Sequence, residues 1–471
     1  MSARSNAHGD MSRVHRIHLI GIGGVGMSGI AGLLRQLDYE VSGSDLRESV
    51  HIHHLRSQGA RIHIGHAAEQ VVGADLVVSS SAIDPANPEL VQARALRIPV
   101  IGRAEMLADL MHLYRGIAVA GTHGKTTTTS MISVIFAEAG LDPTFVIGGL
   151  LQSHGATGRL GRGEYFIAEA DESDSSFLHI HPWMAVITNV DSDHLEHHGG
   201  DLRGLRENFL RFTHNLPFYG LLVLCSDDAG AASLLGDIAR PVRTYGFAED
   251  SDYRIVDFSH SGPVGVMSIE CPDRRSRVEV RIPTPGAHNA RNAAAAVAVA
   301  LEAGIEVGHI QSALAGFRGV RRRLQVIKSR LEERDIVHLD DYGHHPTELA
   351  AVFQTVRDVW PERRLVAVFQ PHRYSRTQSL FGRFVEVLGS LDALLLLDVY
   401  PAGERPIAGA GSPELLKALQ VRPDAPEVLQ LSSRQGLAAD LGAVLRDGDV
   451  MLTIGAGDIE VLSHRIAVDG A

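Results

Sequence analysis

Cysteine is scarce in this sequence, and its scarcity limits the chemistry that the chain can use. Only two of the 471 residues are cysteines, Cys225 and Cys271. Two cysteines support neither a disulfide framework nor a zinc site built from thiolates. A reducing compartment, the cytoplasm, is therefore the expected location.

Long apolar runs and an excess of basic residues are also missing. The apolar stretch after Arg16 is interrupted by glycines from Gly21 onward, so it does not form the apolar core of a signal peptide. No run reaches the roughly 18 to 20 apolar residues that a membrane span needs. Acidic residues outnumber basic ones, 56 to 44, which gives a formal net charge of -12. General affinity for nucleic acid or for an anionic membrane surface is therefore not expected.

The chain does contain a regular alternation of short apolar runs and amphipathic stretches. This alternation is typical of parallel β-sheets with helices on both faces. Together with the chain length, it predicts about three α/β domains. A change to alternating short strands between Arg243 and Ile282 predicts an antiparallel section in the second domain. The expected boundaries are a disordered tail at 1–13 and domains at 14–112, 113–323 and 324–471.

The most informative segment is Gly121–Thr127, which reads GTHGKTT. It follows a buried-strand pattern at Gly116–Ala120 and opens a helical pattern that extends to Gly140. Backbone N–H groups at such a turn converge on phosphate oxygens, aided by the positive end of the helix dipole. Lys125 adds a positive charge, and Thr126 adds a hydroxyl for Mg²⁺. Although the loop is shorter than the standard G-x-x-x-x-G-K-T pattern, it is predicted to bind nucleotide phosphates.

A second glycine-rich loop, Gly21–Gly26, lies earlier in the chain. Its pattern GIGGVG follows a strand and precedes a helix, and Asp45 follows about 20 residues later. Taken alone, this fingerprint leaves NAD(H) and other diphosphate ligands open. Two nucleotide-type loops in one chain argue against a dehydrogenase, which has no use for the second loop.

Polar residues follow other predicted strands, where the ligands of an open α/β sheet collect. Glu169 directly follows the run Tyr165–Ala168, and its carboxylate suits Mg²⁺. His194, in the run DSDHLEHH, is assigned to a second Mg²⁺, because no cysteine lies nearby and the spacing matches no closed zinc site. Asn289 and Asn292 open an alanine-rich helix, where their amides either cap the helix or hydrogen-bond to a purine.

Two further polar segments follow predicted strands of the last domain. They are DDYGHHPTE at 340–348 and QPHRYSRT at 370–377. In the second segment, Arg373 and Arg376 offer forked donors that suit a carboxylate or a phosphate. Ordinary ion pairing is the alternative for these two arginines.

Taken together, these residues resemble the Mur ligases of bacterial peptidoglycan synthesis. The resemblance runs from about Arg16 into the last domain and rests on eight motifs in the same order. These motifs are GIGGVGMSG, GTHGKTTTT, EADESDSSF, TNVDSDHLEHH, PGAHNARNA, GVRRR, DDYGHHPTE and HRYSRT. It implies an N-terminal Rossmann-like domain, a central P-loop ATPase domain with a mostly parallel sheet, and a C-terminal Rossmann-like domain. The implied reaction joins L-alanine to the carboxylate of UDP-N-acetylmuramate and converts ATP to ADP and phosphate, with Mg²⁺ as the metal.

The resemblance also implies a role for each candidate residue. The UDP-sugar is expected at Gly21, Gly23, Gly24, Val25, Gly26, Asp45, Ser80 and Ser81. ATP is expected at Gly121, Thr122, His123, Gly124, Lys125, Thr126, Thr127, Asn289, Asn292, Arg323 and Asp341. The expected metal ligands are Thr126, Glu169 and His194. The lactoyl group and alanine are expected at Tyr342, His344, Arg373 and Arg376. Catalytic roles fall to Lys125, His194, His344, Arg373 and Arg376, and either histidine could take the proton of the amine.

Three alternatives stay open at this stage. A recycling ligase would attach an intact tripeptide to the same UDP-sugar, a dehydrogenase would bind NAD at Gly21–Gly26, and a sensor would bind the UDP-sugar without turnover. Several sister ligases carry a carbamylated lysine as a metal ligand, and the corresponding stretch Asn208–Asn215 has no lysine. Its absence is typical of the branch that adds alanine. The oligomeric state is left open between monomer and homodimer.

Overall fold

The computed structural model of the chain shows an α/β protein built on three sheets. It describes residues 13–80, 82–153, 156–172, 175–191, 202–329, 335–423, 425–433 and 435–469. The chain falls into two compact units. The first contains the residues up to Asp257 with Met267–Arg281 and Arg291–Arg318, and the second contains Phe258–Val266, Ile282–Ala290 and the residues from Gly319 onward. The predicted three-domain α/β fold is confirmed, whereas the boundaries 14–112, 113–323 and 324–471 stay a prediction.

The first sheet is parallel and has the strand order β3-β2-β1-β4-β5. Its strands are β1 (Arg16–Ile20), β2 (Glu40–Asp45), β3 (Arg61–Ile64), β4 (Leu76–Ser79) and β5 (Val100–Gly102). The associated helices are α1 (Val25–Gln36), α2 (Val50–Ser57), α3 (Pro88–Ala95) and α4 (Arg103–Met111). The strand order reverses at β1, so the crevice beyond the carboxyl ends of β1 and β4 is the place where such sheets bind ligands. The loop Gly21–Gly26 starts at this point.

The second sheet has ten strands in the order β15-β14-β13-β12-β11-β10-β6-β9-β7-β8. Its strands are β6 (Arg115–Ala120), β7 (Thr144–Leu151), β8 (Ala156–Arg159), β9 (Tyr165–Glu169), β10 (Met184–Ile187), β11 (Leu221–Cys225), β12 (Val242–Gly246), β13 (Tyr253–Ser261), β14 (Val264–Glu270) and β15 (Arg277–Ile282). Its helices are α5 (Lys125–Glu138), α6 (Leu202–His214), α7 (Ala229–Ala232), α8 (Ala287–Glu302) and α9 (Val307–Ala315). The strands from β12 to β7 pair in parallel, whereas β7 and β8 pair antiparallel. The strand order reverses at β6, which places the loop Gly121–Thr127 at a second switch point.

The third sheet has the order β16-β17-β21-β18-β19-β20. Its strands are β16 (Gln325–Val326), β17 (Val337–Asp341), β18 (Leu365–Phe369), β19 (Ala393–Leu396), β20 (Val428–Leu431) and β21 (Val450–Ile454). Its helices are α10 (Pro346–Val359), α11 (Tyr374–Ser379), α12 (Phe381–Leu388), α13 (Ser412–Gln420), α14 (Leu437–Val444) and α15 (Ile459–Asp469). All neighbours pair in parallel except the short edge pair β16 and β17.

The cores of the sheets explain why these segments read as continuous apolar runs. Strands β10, β18 and β21 are buried along their whole length, as expected for parallel strands covered on both faces. By contrast, β15 alternates exposed and buried residues, which agrees with the alternating pattern predicted there. The alanine run Ala293–Ala296 is fully buried in α8, which confirms the alanine-rich helix predicted at Asn289 and Asn292. None of the described helices combines the length and the apolar character that a membrane span requires.

Helix α5 is unusual because its buried face is rich in hydroxyl groups. Three of these hydroxyls bond to the carbonyl one turn earlier: Thr129 to Lys125 at 2.8 Å, Ser130 to Thr126 at 2.7 Å, and Ser133 to Thr129 at 2.8 Å. Each hydroxyl is therefore satisfied within the helix, and burying it costs little. The helix can pack against β6, β7 and β9 without another polar partner for these groups.

Candidate active site

The loop between β6 and α5 requires glycine at two positions. Gly121 has a φ of 128° and Gly124 a φ of 83°, a backbone region that disfavours residues with a Cβ. Space is also limited, because a Cβ at Gly121 would collide with the hydroxyl of Thr188, and one at Gly124 would lie 2.6 Å from Oδ1 of Asn292. Only glycine allows the backbone to lie this close to Thr188 and Asn292. Such close backbone packing is expected of a phosphate loop.

The strand β10 fixes the shape of this loop through the two residues that follow it. Asn189 accepts the backbone N–H of His123 at 2.8 Å and donates to the carbonyl of His123 at 2.9 Å. The hydroxyl of Thr188 donates to the same carbonyl at 2.6 Å. His123 itself lies 3.5 Å from the carboxylate of Asp191. These contacts tie the loop to the residues that follow β10.

The end of helix α5 that faces this loop is suited to an anion. The residue before the helix is Gly124, and no side chain among the described residues caps this end. The first N–H groups of a helix have no partner within it, and the helix dipole adds partial positive charge there. The loop and the helix end therefore fit the phosphates of a nucleotide.

Lys125 is already paired with an acidic residue in this structure. Its ammonium donates to Oε2 of Glu172 at 2.8 Å and to the carbonyls of Gly121 and Thr122 at 2.6 and 3.2 Å. Burial opposes the charge on Lys125, but Glu172 and its acidic neighbours outweigh burial and raise the pKa of the ammonium. Burial raises the pKa of Glu172 to about 6, although Lys125 acts in the opposite direction. This buried ion pair lies beside the carbonyls of Gly121 and Thr122 in the predicted phosphate loop.

The two described candidate metal ligands lie side by side. Thr126 is the second residue of α5, and Glu169 ends the neighbouring strand β9. The hydroxyl of Thr126 donates to Oε2 of Glu169 at 3.2 Å. A hydroxyl and a carboxylate at this distance fit Mg²⁺, which prefers hard oxygen ligands. The third candidate, His194, lies outside the described residues.

Of the two asparagines of α8, Asn292 lies against the predicted phosphate loop. Its Oδ1 accepts the hydroxyl of Thr128 at 3.2 Å in the first unit. Asn289 is assigned to the second unit, where its amide donates to the carbonyl of Pro285 at 2.8 Å. Both side chains are buried. Asn292 thus packs against the loop at Gly124 and bonds to the first turn of α5. A contact of Asn289 with adenine stays a prediction.

The first glycine loop, Gly21–Gly26, is anchored to β2. The N–H groups of Gly21 and Ile22 donate to the carbonyl of Ser44 at 2.8 and 3.1 Å. The N–H of Gly23 donates to Oδ2 of Asp45 at 2.9 Å. Asp45 therefore holds the loop itself, a use that the dinucleotide fingerprint did not predict.

The other candidates for the UDP-sugar lie at the same edge of the sheet. Gly24 and Val25 are exposed at the start of α1. Ser80 follows β4 and donates its N–H to the carbonyl of Ile20 at 3.4 Å. Ser81 lies outside the described residues. The loop and Ser80 are thus brought together at the first switch point.

A buried polar network that the sequence did not reveal lies beneath this loop. Glu89 is fully buried on α3, accepts the hydroxyl of Ser44 at 2.6 Å and lies 3.4 Å from Nε2 of His18. Burial acts to raise its pKa, but His18, Ser44 and His66 together lower it, so the carboxylate stays charged. Because Ser44 also holds Gly21 and Ile22, this network supports the loop from below.

In the second unit, the arginine that is buried at the start of the third sheet is Arg322. Its guanidinium lies 3.2 Å from the carboxylate of Asp340 and donates to the carbonyl of Gly455. Both Arg322 and the predicted phosphate ligand Arg323 lie over the ring of Tyr342, at 5.2 and 5.4 Å, and Arg323 also lies 3.9 Å from Glu348. Arg322 thus has a structural position that sequence reasoning missed, and a contact of Arg323 with the phosphates of ATP stays a prediction.

Asp341 has a structural use besides the predicted contact with the ribose. Its two oxygens accept the N–H groups of Gly343 at 2.6 Å and Leu324 at 2.7 Å. Burial raises the pKa of this carboxyl to about 6, although the charge of Arg323 opposes the rise. Asp341 thus ties the basic segment before β16 to the segment after β17.

The residues predicted for the lactoyl group and alanine form one cluster beyond β17 and β18. The rings of Tyr342 and His344 meet edge to face at 5.5 Å, and His344 lies 5.8 Å from His372. Nδ1 of His372 in turn lies 3.3 Å from the guanidinium of Arg376, which is buried. Arg373 has a φ of 69° and bonds through its N–H to the carbonyl of Tyr400 at 2.9 Å. All four predicted residues belong to this region, and His372 is an addition to them.

Three family models match the sequence in the order of its three sheets. Residues 16–115 match the Mur ligase family, catalytic domain, residues 119–300 match the Mur ligase middle domain, and residues 322–457 match the Mur ligase, glutamate ligase domain. The chain belongs to the Mur ligase family. As a Mur ligase it is a ligase of peptidoglycan synthesis, and the resemblance noted in the sequence is confirmed.

Solved structures of other Mur ligases share this fold. UDP-N-acetylmuramate-alanine ligase of Thermotoga maritima is 29% identical, with a TM-score of 0.81, and 96% of this chain and 97% of that chain are covered. UDP-N-acetylmuramate:L-alanyl-gamma-D-glutamyl-meso-diaminopimelate ligase of Neisseria meningitidis is 28% identical with a TM-score of 0.60, over 66% of this chain and 100% of that one. MurF ligase of Thermotoga maritima in complex with ADP is 16% identical with a TM-score of 0.59, over 90% and 93% of the two chains, which supports the fold alone.

The residues of the candidate site and its supports that sequence reasoning missed lie mostly inside the motifs of the Mur ligases. Glu172 lies in EADESDSSF, where only Glu169 was assigned, and Asn189 lies in TNVDSDHLEHH. His372 begins HRYSRT and Arg322 lies in GVRRR. The motifs identified the segments that contain these residues. Which residue of a motif makes a given contact depends on the direction of its side chain. Glu89 belongs to none of these motifs, and no signal in the sequence pointed to it.

Proposed function

We propose that this Mur ligase adds L-alanine to the lactoyl carboxylate of UDP-N-acetylmuramate in the cytoplasm, with conversion of ATP to ADP and phosphate. The observation that carries the proposal is the arrangement of Lys125, Thr126, Glu169 and Asn292 around the glycine loop after β6. This arrangement suits the phosphates of ATP. The likeness to the alanine ligase of Thermotoga maritima over nearly the whole chain supports the choice of substrates.

The first step brings two anions together. An oxygen of the substrate carboxylate attacks the γ-phosphorus of ATP, the bond to the β,γ-bridging oxygen breaks, and ADP leaves. Lys125 and the first-turn N–H groups of α5 offset the repulsion between the carboxylate and the phosphates. Thr126 and Glu169 would hold Mg²⁺, which supplies further positive charge at the phosphates. The product of this step is an acyl phosphate.

The second step forms the amide. The amine of L-alanine attacks the carbonyl carbon of the acyl phosphate, phosphate leaves, and the nitrogen loses a proton to a base. The cluster of Tyr342, His344, His372 and Arg376 suits this step, because an imidazole can accept the proton and a buried guanidinium can bind the carboxylate of alanine. His344 is the candidate base among the described residues.

The proposal is tested by the products of the purified protein. The enzyme is incubated with ATP, Mg²⁺, UDP-N-acetylmuramate and L-alanine, and phosphate release and the mass of the UDP-linked product are measured. We expect one phosphate for each alanine that is added. Release of phosphate without an amide product, or no release at all, would contradict the proposal.

The main competing function is addition of an intact peptide to the same UDP-sugar. The identity to the Neisseria ligase, 28%, is close to that of the alanine ligase, 29%. Incubation with equal amounts of L-alanine and L-alanyl-γ-D-glutamyl-meso-diaminopimelate distinguishes the two reactions by product mass. We expect the alanine product, and preference for the tripeptide would overturn our choice of substrate while leaving the family intact.

A further inference from the structure

The ammonium of Lys125 has no spare donor in the described structure. An ammonium group offers three N–H donors. Its three acceptors are the carbonyls of Gly121 and Thr122, at 2.6 and 3.2 Å, and Oε2 of Glu172 at 2.8 Å. A phosphate oxygen can bind this ammonium only if one of the three acceptors gives way.

Glu172 is the acceptor that can give way. Gly121 and Thr122 lie within four residues of Lys125 in the same loop, and Thr188 and Asn189 hold that loop through His123. Glu172 reaches Lys125 from a different segment, the one that follows β9. A carboxylate is also the acceptor most similar to a phosphate oxygen, since both are anionic.

The surroundings of Glu172 favour its pairing with Lys125. Its side chain is 3% exposed, and that of Lys125 is 16% exposed. The neighbouring carboxylate of Asp171 lies 3.4 Å from the guanidinium of Arg103, which therefore offsets the charge of Asp171. Lys125 is the only cation that the described structure places within hydrogen-bond distance of Glu172.

We propose that Glu172 is a positioning residue for Lys125: its carboxylate holds the ammonium over the loop until ATP binds, when a γ-phosphate oxygen replaces it. The proposal rests on the proposed function, because it requires the loop to bind ATP. Holding the long lysine side chain in place removes rotamer freedom before ATP binds, so less freedom is lost on binding. The same carboxylate repels the incoming phosphates, so the nucleotide is bound less tightly than the loop alone would allow.

Glu172→Gln tests this exchange, because it keeps the shape and one oxygen acceptor but removes the charge. We expect the KM for ATP and the Kd of an ATP analogue, measured by calorimetry, to fall about 3- to 10-fold once the repulsion is gone. We expect kcat to fall by a similar factor, because bound ATP is no longer destabilised by that charge on the way to the transition state. A fall in both constants is the sign of lost ground-state strain, which a purely structural residue would not produce. Glu172→Asp restores the charge, so the KM for ATP should return toward the wild-type value.

The control is Glu164→Gln, which neutralises an exposed carboxylate. Glu164 directly precedes β9, the strand before Glu172, and it pairs with Arg115. This substitution should change neither constant. Unchanged constants in Glu172→Gln, or weaker binding of the ATP analogue in that variant, would overturn the role of Glu172. Failure of the wild-type protein to bind the ATP analogue would instead remove the proposed function on which this role rests.

Discussion

Asn292 lies directly against Gly124, so that a Cβ at Gly124 would come within 2.6 Å of its Oδ1. The same oxygen accepts the hydroxyl of Thr128 on the next turn of α5. One amide thus supports both the turn that opens the phosphate loop and the helix that follows it. Residues 168 positions apart in the sequence therefore determine together the shape of the candidate ATP site.

Replacing Gly124 by alanine should remove nucleotide binding with little effect elsewhere. The new Cβ would be strained at a φ of 83° and would collide with Asn292. We expect the affinity for an ATP analogue, measured by calorimetry, to fall at least about 10-fold, because a small shift of the loop misaligns its N–H groups. The matched control is Gly140→Ala, just past the other end of α5. The φ there is also positive, at 74°, but an added Cβ would have no atom within 4 Å beyond its chain neighbours. If both variants bound the analogue as the wild type does, the close packing against Asn292 would be unimportant.

Lys125→Ala should abolish turnover and leave binding of the UDP-sugar nearly unchanged. The ammonium is the charge that we assign to the γ-phosphate, and loss of one such group costs about 100-fold or more in kcat. The UDP-sugar is predicted to bind at Gly21–Gly26 on another sheet, so its affinity should stay the same. Phosphate release and calorimetry with UDP-N-acetylmuramate measure the two effects, with Lys417→Ala on the exposed face of α13 as the control. Equal loss of both would contradict this division of roles.

Arg376→Ala should raise the amount of alanine that the reaction requires. The guanidinium is buried and lies 3.3 Å from Nδ1 of His372, in the cluster that we assign to the amino acid. Loss of a charge-assisted pair with the carboxylate of alanine should raise the KM for alanine about 10-fold or more. Arg446→Ala, which removes an exposed arginine paired with Glu427, is the control. An unchanged KM for alanine in Arg376→Ala would remove this residue from the amino-acid site.

Much of the fold could be predicted from the sequence because buried parallel strands leave a strong apolar signal. The runs at Gly116–Ala120 and Tyr165–Ala168 both became strands of a parallel pair, β6 and β9. The short strands β3 and β5 lie at the edges of the first sheet and were not predicted, since each is exposed along part of its length. The short strands predicted between Arg243 and Ile282 are β13, β14 and β15, which lie next to one another at one edge of the second sheet.

The candidate site was predictable to the level of motifs, but not to the level of contacts. The motif GTHGKTTTT located the candidate phosphate loop, yet the pairing of Lys125 with Glu172 depends on the path of the segment after β9. Asp45 was predicted as a ligand residue, and it also accepts the N–H of Gly23, a contact that the sequence did not predict. Such contacts depend on the direction of side chains that are distant in sequence, which periodicity and spacing do not record.

Stability of the second unit should decrease in mild acid because of His338. This histidine is buried on β17 with Nε2 3.2 Å from the hydroxyl of Ser463, and burial lowers its pKa to about 4. The unfolded chain takes up a proton below about pH 6.5, whereas the folded chain does so only near the lowered pKa. The stability from neutral His338 is therefore complete above about pH 6.5 and is lost as the pH falls toward 4, up to about 3 kcal/mol. Thermal unfolding of the wild type and of His338→Gln between pH 7 and pH 4.5 measures this effect, since glutamine takes up no proton in this range. The melting temperature of the wild type should fall more steeply with pH than that of the variant, and parallel curves would show that His338 contributes nothing to acid sensitivity.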